Sequence, residues 1–131
     1  MPKIYRFASH AYDYPFRLQG EWAFRKSLDK LFPWRDYEEA ITEDALPAKL
    51  ILENKHREYG DTVRVEIEKL PVGYMTETGA KNYRKAIKAL GLNDDDIGQC
   101  LASVRCKKKS TEFSVKLDLD LKKLEIAEIL E

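Results

Sequence analysis

Three runs decide the fold: Val63-Arg64-Val65-Glu66-Ile67, Val72-Gly73-Tyr74-Met75, and the stretch from Thr76 to Gly91. Val63, Val65 and Ile67 alternate with Arg64, Glu66 and Glu68, which is the two-residue period of a half-buried strand. Leu70-Pro71 reads as the turn after it, and Val72 to Met75 as a short strand returning against the first. The period then changes. Thr76 suits a helix N-cap, Glu77 falls in the first turn, and Gly91 can close the helix in the left-handed conformation. Ala80, Tyr83, Ile87 and Leu90 form an apolar stripe, with Lys81, Arg84, Lys85 and Lys88 on the opposite side.

Upstream, Ala48 to Glu53 reads as a strand, and the polar run Asn54 to Asp61, with its Gly60, as a loop or hairpin connection. Phe16-Arg17-Leu18-Gln19-Gly20 alternates and ends on a glycine, so it reads as another strand. Trp22, Phe24, Leu28, Leu31 and Phe32 fall at helical spacing and Pro33 stops that helix. Trp22 and Phe24 cannot share one helical face, so one of them is exposed or the helix begins later. Trp34 to Ile41 reads as a short second helical piece. Tyr5 and Phe7, flanking Arg6, suggest an edge strand.

Downstream, Asn93-Asp94-Asp95-Asp96 reads as an exposed acidic loop. In a strand over 99–106, Cys100, Ala102, Val104 and Cys106 point one way. In a strand over 112–119, Phe113, Val115, Leu117 and Leu119 do the same. Lys107-Lys108-Lys109-Ser110 reads as the hairpin between them. Asp120 is placed to cap a final helix over 121–130, with Leu124, Ala127 and Leu130 on one side. The expected class is therefore α+β and β-rich. It is a small curled sheet or modified barrel with two to four packed helices.

Size and charge fit one domain over 1–131. The chain has 131 residues, 44% apolar and 35% charged, with 23 basic and 23 acidic side chains. That length buries roughly two-thirds of the unfolded surface without a covalent staple. Zero net charge gives no global argument for a nucleic-acid partner, although a local basic patch is compatible with it. No run of 18 apolar residues predicts a membrane helix, and the N-terminal residues lack the apolar core of a secretory leader. Cys100 and Cys106 would stand roughly 20 Å apart along a strand, beyond disulfide reach. Free buried thiols and a cytoplasmic setting are the expectation.

Catalytic and metal signatures are missing from the sequence. His10 and His56 are its two histidines, 46 positions apart. There is no nucleophile elbow, no HExxH and no CxxC. Asp94-Asp95-Asp96 lacks the spacing of a calcium loop. A non-enzymatic domain without a cofactor is expected. The basic residues Arg64, Lys81, Arg84, Lys85, Lys88 and Lys107 to Lys109 would form a phosphate-binding stripe if the fold gathers them. Trp22, Phe24, Trp34 and Tyr59 could then supply base stacking. A solvated helix face over an ordinary core is the competing reading.

The ordered set Ala48 to Glu53, Asp61 to Ile67, Val72-Gly73-Tyr74-Met75 and Ala80-Lys81-Asn82-Tyr83-Arg84 resembles a HIRAN domain. Phe16 to Gly20 resembles the family's opening strand and glycine. Cys100 to Val104 and Phe113 to Leu119 resemble its closing strands. The resemblance covers a core of about 16–119. It implies a compact modified barrel that binds DNA, single strands or strand ends, with no enzymatic activity. The residues it assigns to the interface are Arg17, Trp22, Arg57, Tyr59, Asp61, Arg64, Tyr74 and Arg84. The turn departs from the family pattern. His56 stands where Asn is usual, Glu58 where an aromatic is usual, and Tyr59 where Asp is usual. Trp22-Ala23-Phe24 replaces an Arg-aromatic-aromatic group. Two readings follow: a DNA-binding module, or a protein-interaction or accessory domain on the same fold whose DNA surface has decayed. No membrane partner is expected, and a monomer is favoured.

Overall fold

The computed structural model describes residues 3–9, 14–31, 41–106 and 113–130, with the side chains of Trp22, Arg25, Ile41 and Cys106 set aside. Eight strands and two α-helices follow one another in the described residues. They are β1 (Ile4–Phe7), β2 (Phe16–Gln19), α1 (Arg25–Leu31), β3 (Ile41–His56), β4 (Gly60–Ile67), β5 (Leu70–Met75), α2 (Glu77–Ala89), β6 (Ile97–Cys106), β7 (Phe113–Leu117) and β8 (Ile126–Leu130). The strands form one sheet in the order β3-β4-β5-β2-β7-β6-β1-β8, and β3 pairs again with β6. The first six therefore close into a barrel, and β1 and β8 extend it from β6.

Alternation builds the barrel interior. Val63, Val65 and Ile67 of β4 are buried while Arg64 and Glu66 face outward. Ala48 and Leu50 of β3, Cys100, Ala102 and Val104 of β6, and Val115 and Leu117 of β7 complete the same core. Burial pushes the Cys100 thiol up from its ordinary range, with the Asp118 carboxylate adding to the effect.

α2 forms as its capping residues direct. Thr76 is extended, and its hydroxyl accepts from the Gly79 amide at 3.1 Å. At the other end Leu92 N donates to Ile87 O at 3.0 Å and Gly91 N to Lys88 O at 3.1 Å, with Gly91 at φ 85°. That bond pair is a Schellman closure, which glycine adopts without a Cβ clash. Ala80, Tyr83 and Ile87 are buried, and the Tyr83 ring meets Phe7 edge-on at 6.1 Å. Leu90, expected in the stripe, is the C-cap and is exposed.

The structure corrects four expectations. Residues 121–130 are not a helix. Asp120 does cap, its carboxylate accepting from Lys122 N at 3.0 Å, but only a 3₁₀ turn over Leu121–Lys123 follows before β8. A ten-residue helix is marginal alone. Antiparallel pairing of β8 with β1 outweighs it, and Ile126 and Ile129 suit a strand. β1 is accordingly not an edge strand, since it lies between β6 and β8. The chain turns at Glu68-Lys69 rather than Leu70-Pro71. Both residues have positive φ, 50° and 68°, and Ile67 pairs directly with Leu70. Asp96 is buried, not exposed. Its carboxylate accepts from Lys3 N at 3.0 Å and Asn93 N at 2.8 Å, and these amides hold it below its ordinary value. Asn54 to Asp61, by contrast, is the hairpin connection its composition allows, with residues 57–59 as the turn and the flanking residues in β3 and β4. The helical piece expected at 34–41 and the Lys107–Ser110 hairpin lie outside the described residues, except that Ile41 begins β3.

Candidate nucleic-acid interface

The β3–β4 hairpin folds its tip back over β5. β3 and β4 pair in regular register from Lys49↔Glu66 to Glu53↔Thr62, then shift before His56↔Gly60. Lys55 takes φ 57° and Gly60 φ 65° in that irregular end. The Asp61 carboxylate accepts from the Lys55 amide at 2.9 Å and so fastens the bulge. His56 Nδ1 accepts from the amides of Glu58 at 3.0 Å and Tyr59 at 3.1 Å, which fastens the turn. Because Nδ1 is an acceptor there, the neutral ring carries its proton on Nε2.

These bonds gather four rings. His56 stacks on Tyr59 with centroids 4.8 Å apart and planes 17° from parallel. Tyr74 of β5 meets His56 at 4.7 Å and Tyr59 at 5.1 Å. Phe24 reaches Tyr74 from the other side at 5.6 Å. Phe24 ends a 3₁₀ turn over Glu21–Phe24, so the α-helix begins later than helical spacing alone would place it. Gly20, at φ 77°, starts that turn, and a Cβ on it would come 3.0 Å from the Tyr59 hydroxyl oxygen. Tyr74 is buried, while His56 and Tyr59 remain half-buried.

A charged row runs beside the rings. Arg64 lies opposite Tyr74 in the β4–β5 register. Its Nε donates to Glu66 at 2.9 Å, and its Nη1 lies 3.3 Å from the Glu53 carboxylate. Burial, together with the Glu53 carboxylate beside its hydroxyl, pushes Tyr74 up to about 12.

No family model, curated protein or solved structure matches this chain.

Tyr59, Tyr74 and Arg64 come together at the hairpin. Asp61 and Arg57 lie in the same hairpin, Asp61 occupied with the Lys55 amide and Arg57 exposed in the turn. Arg84 serves a different purpose. Its Nη2 donates to the carbonyls of Thr62 at 2.8 Å and Glu53 at 3.0 Å, strapping α2 to the β3–β4 pair. Arg17 is exposed on β2 opposite Lys116, two positions before the residue that pairs with Tyr74. Trp22 lies in the 3₁₀ turn, but its side chain is outside the described set. His56, Glu53 and Glu66 were missed as members of the cluster. Continuing the strand before Val63 back to a turn at 57–59 would have placed His56 opposite Gly60, within reach of Tyr59.

Proposed function

We propose that the chain is a non-catalytic binding module and that its ligand is single-stranded DNA, held at the β3–β4 hairpin by ring stacking. The observation that carries this reading is the half-buried, near-parallel His56–Tyr59 pair, flanked by the exposed cations Lys55 and Arg57. A stacked base gains about 1–3 kcal/mol on such a platform without regard to its identity. The resemblance of 48–84 to HIRAN domains supports the same ligand class.

The electrostatic share of binding is small in this reading. Arg64 is flanked by two carboxylates, and Arg84 is committed to backbone carbonyls. With two phosphate contacts, affinity falls roughly 25-fold over a tenfold rise in salt. Anisotropy of a labelled ten-nucleotide strand, titrated at low and moderate salt, tests this. Tyr59→Ala is expected to weaken binding about tenfold. Failure of the wild-type chain to bind at low salt ends the DNA reading.

The same engaged arginines favour a second reading, a protein-interaction or accessory domain that has lost its phosphate grip. Under it the hairpin rings pack against a protein surface, and the anisotropy stays flat at every salt concentration.

A further inference from the structure

α2 lays its apolar stripe on the barrel and meets the 3₁₀ turn over Leu121–Lys123 along one side. Their seam is an open groove of about 320 Å³. Asn82, Lys85, Ala86 and Ala89 line it from the helix, and Leu121 and Lys122 line it from the turn. Ala86 and Ala89 are too short to fill the space between the two elements. Leu90, four positions past Ala86, is 39% exposed, so apolar surface continues beyond the floor. Charge separates at the same seam. From Thr78 to Asn93 the chain has four cations, Lys81, Arg84, Lys85 and Lys88, and no acid. Lys81, Lys85 and Lys88 are exposed along the outer side of α2, and Lys122 stands across the groove. None of these four lysines has an ion-pair partner among the described residues, whereas Arg6 and Arg64 are paired. The Asp120 carboxylate beside them accepts from the Lys122 amide, and Asp94, Asp95 and Glu125 lie outside the lining.

We propose that this groove docks an acidic, amphipathic helical segment of a protein partner. Its carboxylates meet Lys85 and Lys122, and an apolar side chain between them covers Ala86, Ala89 and Leu121. Charge complementarity and the apolar floor together select this partner. The floor runs over 82–89, about 10 Å of helix, which matches two turns of a second helix laid in the groove. A nucleic acid fits it less well. Among the described residues no ring lines the groove to stack a base, and phosphates on the lysines would leave the floor in water. The surface is separate from the β3–β4 hairpin, and its partner does not depend on what the hairpin binds. So short a floor covers far less than the roughly 800 Å² per partner of a standard interface, so the docking is weak and reversible.

The probe is a helical peptide of about 14 residues, with Leu at every third or fourth position and Glu and Ala elsewhere. It is titrated to about 1 mM into the isotope-labelled chain, the range in which so small a contact should bind, and the amide resonances are followed. The expected result is a saturating shift of the amides of 82–89 and 121–122. Replacing the peptide's leucines by alanine should weaken binding about tenfold, through the lost apolar burial. Lys85→Glu combined with Lys122→Glu should weaken it by at least as much. Both lysines are exposed, so this double variant should keep the wild-type melting temperature. No shift at the highest concentration overturns the proposal. So does a response centred on 56–60, or one indifferent to the lysine double variant, because the peptide would then dock elsewhere. A ten-nucleotide single strand is titrated in parallel. If it moves the groove amides at lower concentration than the peptide does, the lysines serve phosphates and the proposal is likewise overturned.

Discussion

Tyr59 lies directly over Gly20, its hydroxyl oxygen only 3.0 Å from where a Cβ on that glycine would stand. Gly20 is fixed twice, by this contact and by its φ of 77°, where L side chains are strained. Gly20→Ala is therefore expected to cost about 1–3 kcal/mol. It should also lift the ring off His56. In Tyr59→Phe, which removes the offending oxygen, the same substitution should cost less, because only the backbone strain remains. Urea unfolding of the four chains of this double-mutant cycle measures the difference. Equal costs in both backgrounds would show that the ring and the glycine are not coupled.

The Arg84 guanidinium is structural, and its loss should appear in stability before binding. Arg84→Met strips a charged donor from the Thr62 and Glu53 carbonyls, at a cost of about 2 kcal/mol. Arg84→Lys should recover part of that, since an ammonium cannot reproduce the planar fork. If the chain binds single-stranded DNA as proposed, Arg84→Met should leave the salt dependence of affinity unchanged. Arg57→Ala should lower its slope by about 0.7, the share of one phosphate contact. A slope that falls with Arg84→Met would place the guanidinium on the ligand instead.

Much of the fold was legible because the barrel strands alternate cleanly. Val63, Val65 and Ile67 face the core as their spacing implies, and Thr76 and Gly91 bound α2 as their chemistry implies. Two strands were hidden. The first half of β3, Ile41 to Pro47, does not alternate, contains a proline and bulges at Ala45, so only its pairing with β6 makes it a strand. β8 carries helical and strand periods at once, and short apolar runs do not resolve that ambiguity locally. The site was half legible for a similar reason. Tyr59, Tyr74 and Arg64 follow from register, but His56 enters through a bulge. The reach of Arg84 to two carbonyls depends on how α2 packs on β4.

The Glu68-Lys69 turn offers a gain in stability. Both residues sit at positive φ, as the two central positions of a type I′ hairpin require, and neither favours it. Asn and Gly at these positions relieve the strain without touching a neighbour in the core. Glu68→Asn with Lys69→Gly should raise stability by about 1 kcal/mol, read as a higher urea midpoint at unchanged slope. A loss of stability would mean that the charged side chains hold the turn through contacts that outweigh the backbone strain.

Tyr74 gives the fold a dependence on alkaline pH. Its hydroxyl titrates near 12 in the folded chain against 10.0 in the unfolded one, because burial and then Glu53 disfavour the phenolate. A group whose folded value is raised contributes its full stability below the unfolded value and loses it as pH climbs toward the folded one. The loss should therefore begin near pH 10 and run toward pH 12. The side chains of Glu53 and Arg64 are each 29% exposed, so solvent screening trims the effect to about 1 kcal/mol. Tyr83 is also raised by burial and steepens the wild-type curve. The comparison that isolates Tyr74 is with Tyr74→Phe, which keeps the ring contacts to His56, Tyr59 and Phe24 but has no proton to lose. Its urea midpoint should fall less between pH 9 and pH 11.5 than that of the wild type. Parallel curves would mean that the Tyr74 hydroxyl ionises as freely in the folded chain as in water, and that its contact with Glu53 is not maintained.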